Sequence, residues 1–229
     1  MEINEIKTEH KRQDMECKRC GTCCRKGGPA FHLVDKALID KGVIQARYLY
    51  TIRKNEPAFD NIQGIVRPVS TDIIKIKSRK GSRTCVFFDD HHQSCLIYEN
   101  RPIECRTLKC WDTAEIEKNY KKDRLTRGDL LSGIRGLWEL IEEQDARCEY
   151  DQIERLASEL KKNGRDQTAA RIVEIIEYDT QLRELVIKRG EMDREMLEFI
   201  FGRPLKTTIN MYGLKIKQEA GKYIVVKTG

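Results

Sequence analysis

The sequence predicts an α+β fold: a small irregular cysteine-rich domain with short strands, then a mainly helical domain ending in a β-hairpin. Three observations predict it. Eight of the nine cysteines lie before residue 112. Apolar residues recur at helical spacing from about 113 to 201. Residues 214–226 alternate in strand fashion around a glycine turn. The expected division is an N-terminal arm at 1–16, a cysteine-cluster domain at 17–112, a helical domain at 113–202 and a C-terminal hairpin at 203–229.

The arm is polar and charged. Residues 17–28 open with Cys17-Lys18-Arg19-Cys20-Gly21-Thr22-Cys23-Cys24 and run into Gly27-Gly28-Pro29, which breaks the chain. Residues 33–41 predict a short helix with Leu33, Val34, Ala37 and Leu38 on one face and Gly42 after its end. A second helix is expected within 44–54. Residues 65–78 alternate imperfectly, through Ile65, Val66, Val69, Ile73, Ile74 and Ile76, and read as strand. Thr84-Cys85-Val86-Phe87-Phe88 reads as another short strand, and 91–112 as loop.

Beyond Trp111 four apolar stripes follow. They are Leu130–Ile141, Ile153–Leu160 (stopped by Asn163-Gly164), Ile172–Val186 (ending at Gly190) and Met196–Phe201 (ending at Gly202 and Pro204). Such stripes bury a helix face and need no cofactor to explain them.

Composition narrows the function. Hydrophobic residues make up 39% and charged residues 35%, so the core must come from amphipathic faces. Nothing approaches the ~18 consecutive apolar residues of a membrane span. Met1-Glu2-Ile3-Asn4-Glu5-Ile6-Lys7 lacks the basic start and apolar run of a signal peptide, so a cytoplasmic, reducing location is expected. The net charge of +6 lies wholly in residues 1–112, while 113–229 is balanced. Aromatics do not interleave with those basic residues, which argues against a nucleic-acid platform. The charge is better read as compensation. Cysteines bind metal as thiolates, and Lys18, Arg19, Arg25, Lys26, Arg101, Arg106 and Lys109 flank them.

The clustered cysteines are Cys17, Cys20, Cys23 and Cys24, spaced C-x2-C-x2-C-C, then Cys85, Cys95, Cys105 and Cys110. Two-residue gaps let one tight loop aim sulfurs at one ion. Adjacent Cys23 and Cys24 do not easily face the same metal. A reducing compartment argues against a disulfide framework. Four sulfurs suit tetrahedral Zn2+ and equally a 4Fe–4S or 2Fe–2S cluster. Cys148 stands apart on a helical stretch and reads as a core residue. His91 and His92 sit on a polar loop and read as exposed; His10 and His32 carry no signal. Arg101-Pro102 stiffens the approach to Cys105, and Arg101 can donate to a sulfur or nearby carbonyl.

Cys17, Cys20, Gly21, Cys23 and Cys24, then Cys85, then Cys95-Leu96-Ile97-Tyr98, Arg101-Pro102 and Cys105-Arg106 resemble, in that order, the YkgJ-type CxxCxxCC cysteine-cluster family. That family is described as zinc- or iron-chelating. The resemblance spans about residues 15–112. It implies that these seven cysteines are the family's own, with Cys110 beyond the core motif. Arg101 and Arg106, as cations flanking the cysteines, are expected to lie at the cofactor. Distantly similar relatives are flagellin lysine N-methylases, which use an iron–sulfur cluster and S-adenosylmethionine. The resemblance therefore favours iron–sulfur over zinc. It implies a metal-binding protein with an unidentified protein partner or substrate. The alternative is a cluster-dependent protein-lysine N-methyltransferase, although no glycine-rich nucleotide loop, G-x-S-x-G or H-E-x-x-H is present.

Overall fold

The computed structural model describes residues 17, 19–164 and 166–228. The expected arm at 1–16, with His10, and Lys18 in the cysteine loop lie outside the described residues. In chain order come α1 (Lys36–Asp40), β1 (Leu49–Ile52), β2 (Pro57–Asp60), β3 (Ile65–Pro68), β4 (Ile73–Ile76), β5 (Phe88–Asp89), β6 (Ser94–Cys95) and α2 (Ile103–Thr107). Then follow α3 (Ala114–Asn119), α4 (Arg127–Leu131), α5 (Arg135–Arg147), α6 (Tyr150–Asn163), α7 (Asp166–Gly190), α8 (Leu197–Ile200), α9 (Leu205–Thr208), β7 (Leu214–Glu219) and β8 (Lys222–Lys227). The strands pair antiparallel as β1–β4, β2–β3, β5–β6 and β7–β8. The mixture of helices, short strand pairs and a C-terminal hairpin is the α+β class read from the sequence. Among the described residues, no helix is long and apolar enough to cross a membrane.

The C-terminal features follow from local chemistry. Gly164 takes φ 60°, the left-handed residue that ends α6. Ala220 and Gly221 both have positive φ, the turn whose twist matches a two-residue hairpin. The stripe on α6 is real: Ile153, Ala157 and Leu160 are buried against Ile172 and Ile176 of α7 and Leu205 of α9.

Packing crosses the expected boundary at 112. Phe31, Leu49, Ile74, Ile76 and Phe87 share one apolar cluster with Leu125, Ile141, Leu182, Phe199 and Phe201. Polar groups join the same regions. Thr51 Oγ1 donates to the Phe199 carbonyl at 2.6 Å. The buried Arg127 guanidinium meets Asp72 at 2.6 Å, Asp145 at 2.7 Å and the Ile200 carbonyl at 3.0 Å. Such a charge survives burial only because each guanidinium nitrogen finds an acceptor. The cysteine-bearing loops are therefore held by a core to which the helices contribute.

Several local expectations are corrected. The helix expected in 44–54 is one 3-10 turn followed by β1. Leu49, Tyr50, Thr51 and Ile52 pair with Ile76, Lys75, Ile74 and Ile73, and that distant partner outweighs local helical spacing. The strand expected over 65–78 is two strands, β3 and β4, in different pairs. Ile65 and Val66 on β3 are exposed. Leu33 and Val34 are exposed too, because they sit in a 3-10 turn ahead of α1. The run 84–88 is mostly turn, with Cys85 in an isolated bridge to Ser78. The expected loop at 91–112 contains β6 and α2. Ile134, placed on a buried stripe, is exposed at the break between α4 and α5.

Candidate metal centre

The first cysteines sit on a loop clamped at two glycines. Gly21 has φ +73°, and a Cβ there would run into the Phe88 ring. A Cβ on Gly28 would collide with the Ile76 carbonyl. Only glycine lets the loop lie this close to β4 and β5. Hydrogen bonds then fix it. The Cys85 N–H donates to the Cys24 carbonyl at 2.8 Å, and the Ile76 N–H to Pro29 at 3.1 Å.

The remaining cysteines arrive on separate pieces. Cys85 follows β4, Cys95 is the last residue of β6 opposite Phe88, Cys105 lies on α2, and Cys110 lies in the turn closed by a bridge between Lys109 and Asp112. Helix α2 is pinned from outside. Asp35 Oδ1 accepts from the Ile103 N–H at 2.9 Å, at the start of the helix. Glu104 accepts from the Ala30 N–H at 2.6 Å and from Arg124 at 2.7 Å, with His32 Nε2 at 3.4 Å. Burial works against ionisation of Glu104, yet His32, Lys75 and Arg124 outweigh it and bring its pKa down to about 2.

The result is one cavity of about 770 Å³ lined by all eight clustered cysteines. All nine thiols stand free, and Cys148 is buried elsewhere, its Sγ 3.9 Å from the Ile175 carbonyl. Cys17, Cys20 and Cys110 are exposed, Cys23, Cys24, Cys95 and Cys105 are half-buried, and Cys85 is buried. The Cys23 and Cys24 sulfurs are 4.0 Å apart. Sharing one proton between them lowers Cys23 to about 6 and raises Cys24. Burial raises Cys85, Cys95 and Cys105, so each favours the neutral thiol until a cation arrives. The Thr22 hydroxyl lowers Cys20. Among the described residues, no three Cys, His, Asp or Glu side chains are close enough to grip one ion. A metal must therefore draw sulfurs in from a wider cavity. The donor set fits zinc or iron–sulfur, since both take thiolate ligands in fours.

The cations are arranged less simply than sequence proximity suggests. Arg101 and Arg19 both stack on Tyr98, at 3.6 and 4.2 Å from the ring centroid, and both line the cavity with Lys26. Arg25 donates to the Cys20 carbonyl at 3.0 Å and pairs with Asp90. Arg106 does not line the cavity; it turns to Asp35 at 3.7 Å. Lys109 pairs with Glu115 at 3.2 Å. Lys75 on β4 does line the cavity, and burial lowers its pKa. Lys75, Glu104 and His32 had no sequence signal of their own. Only the pairing of β4 with β1 and the fold of α2 bring them here. His91 and His92 are exposed, as expected, with His92 Nδ1 2.7 Å from Asp89.

Residues 16–125 match the CxxCxxCC family, described as a putative zinc- or iron-chelating domain. The match runs past 112 to include Tyr120, at the cavity wall, and Arg124, which holds Glu104. The match covers just under half of the chain. No curated protein and no solved structure matches the chain.

Proposed function

We propose that this CxxCxxCC domain holds a metal centre through Cys17, Cys20, Cys23, Cys24, Cys85, Cys95, Cys105 and Cys110, and that the centre is iron–sulfur rather than zinc. The observation that carries the reading is that these eight cysteines, from two groups about sixty residues apart in sequence, line one cavity. Four thiolates on one Zn2+ leave a charge of about −2. Arg19, Lys26, Lys75 and Arg101 line the same cavity and offset it. The resemblance to relatives that use an iron–sulfur cluster favours that group over zinc, and both accept thiolate ligands. Bound, the group supplies a structural clamp or an electron carrier. This chain's residues supply the ligands, the compensating charge and the shelter from water. Thiols kept free for metal imply a reducing, cytoplasmic setting.

The test is elemental. The protein purified anaerobically should be coloured and contain iron and acid-labile sulfide in equal amounts. Stoichiometric zinc in a colourless protein would move the reading to zinc. Neither metal would overturn it.

One observation favours a second reading. The same cavity is also lined by the apolar and aromatic side chains of Tyr98, Leu108, Trp111, Ile116 and Tyr120. That leaves room for an organic molecule beside the metal, as a cluster-dependent S-adenosylmethionine protein-lysine N-methyltransferase requires. Calorimetry of the metal-loaded protein with S-adenosylmethionine tests it, and no detectable binding would remove it. A protein substrate or partner belongs to both readings.

A further inference from the structure

We propose that the eight cysteines form two separate four-sulfur centres, a mouth centre of Cys17, Cys20, Cys23 and Cys110 and a floor centre of Cys24, Cys85, Cys95 and Cys105. The proposal rests on the metal-binding reading above and divides that site.

Depth separates the sulfurs first. Cys17, Cys20 and Cys110 are exposed, Cys85 is buried, and Cys23, Cys24, Cys95 and Cys105 are half-buried, so depth separates three mouth sulfurs and leaves Cys23 to be placed by its support. Their supports differ in the same way. The floor cysteines hang on structure that is already fixed: β6 for Cys95, α2 for Cys105 and the bridge to Ser78 for Cys85. The mouth cysteines hang on the loop before residue 24 and on the turn beyond α2.

Cys23 and Cys24 lie on the seam with their sulfurs 4.0 Å apart, and their backbone supports differ. Cys24 opens a 3-10 turn, where successive side chains diverge by about 120°. The Cys24 carbonyl accepts from the Cys85 N–H at 2.8 Å, which ties Cys24 to the floor. The floor then has four sulfurs, and Cys23 completes the mouth set. Four thiolates complete either a tetrahedral zinc or a cubane cluster, so each set is a full complement. A cavity of about 770 Å³ has room for both.

The experiment compares metal-to-protein ratios for the full chain purified anaerobically, with helical circular dichroism read on the same samples. Each of Cys17→Ala and Cys110→Ala should keep half of the wild-type metal, and their double variant should also keep half. Cys95→Ala should keep the other half. Cys95→Ala combined with Cys110→Ala should keep none. Losses are thus non-additive within a set and additive between sets. Loss of all metal in Cys110→Ala with helices intact would overturn the division, as would full retention. The floor variants risk misfolding, so the mouth variants and their double decide the matter alone. A wild-type protein without metal would overturn the metal-binding reading itself.

Discussion

Replacing Glu104 by glutamine should cost the folded protein about 3 kcal/mol at neutral pH. The side chain is 10% exposed, so solvent screens it little. Its pKa falls from 4.5 to about 2, and a gap of that size at 1.36 kcal/mol per unit gives about 3 kcal/mol. The folded pKa is depressed, so this stability is fully present above 4.5 and drains away as pH falls towards 2. Glutamine keeps the shape but leaves Arg124 and Lys75 without their counter-charge. Urea unfolding of the metal-free, reduced protein at pH 7 should show a lower midpoint for Glu104→Gln. The gap to wild type should close between pH 4.5 and pH 2. Equal midpoints at pH 7, or a gap that persists at the acid end, would refute the argument that this carboxylate anchors α2 through its charge.

Three further outcomes are expected. Gly28→Ala should destabilise by about 2 kcal/mol or more, since its Cβ meets the Ile76 backbone, whereas Gly136→Ala, with open space in α5, should stabilise by about 0.5–1 kcal/mol; urea midpoints distinguish them. Chelation should strip hydrogen-exchange protection from residues 17–28 and 85–112 while β1, β4 and the helices keep theirs, because Leu49, Ile74 and Ile76 share the core with Phe199 and Phe201; equal loss everywhere would contradict this. Cys148→Ala should leave metal content unchanged by elemental analysis and cost only about 1 kcal/mol, because its thiol is buried away from the cavity.

The cysteine cluster was legible because its spacing is itself chemistry: sulfurs three residues apart on a glycine loop have few other uses. The helices were legible from their stripes, and the hairpin from Ala220-Gly221. What was hidden depends on distant pairing. Strand β1 is a strand because Ile73–Ile76 lies beside it, which no local window reveals. Lys75 enters the cavity through that pairing. His32 looked featureless, yet it is buried against Glu104 and Lys122. Arg106 looked like a cofactor ligand by its place beside Cys105, but the Asp35 carboxylate captures it. Neighbours in sequence on a short helix face different ways, so flanking charge is a poor guide to which cation reaches a site.

The central claim is that eight cysteines serve metal and one does not. Native alkylation read by mass spectrometry, before and after chelation, tests it most directly. The metal-loaded protein should be protected at Cys17, Cys20, Cys23, Cys24, Cys85, Cys95, Cys105 and Cys110, and chelation should open the exposed Cys17, Cys20 and Cys110 first while Cys148 stays unreactive throughout. Rapid labelling of those three exposed thiols with or without chelator would contradict it.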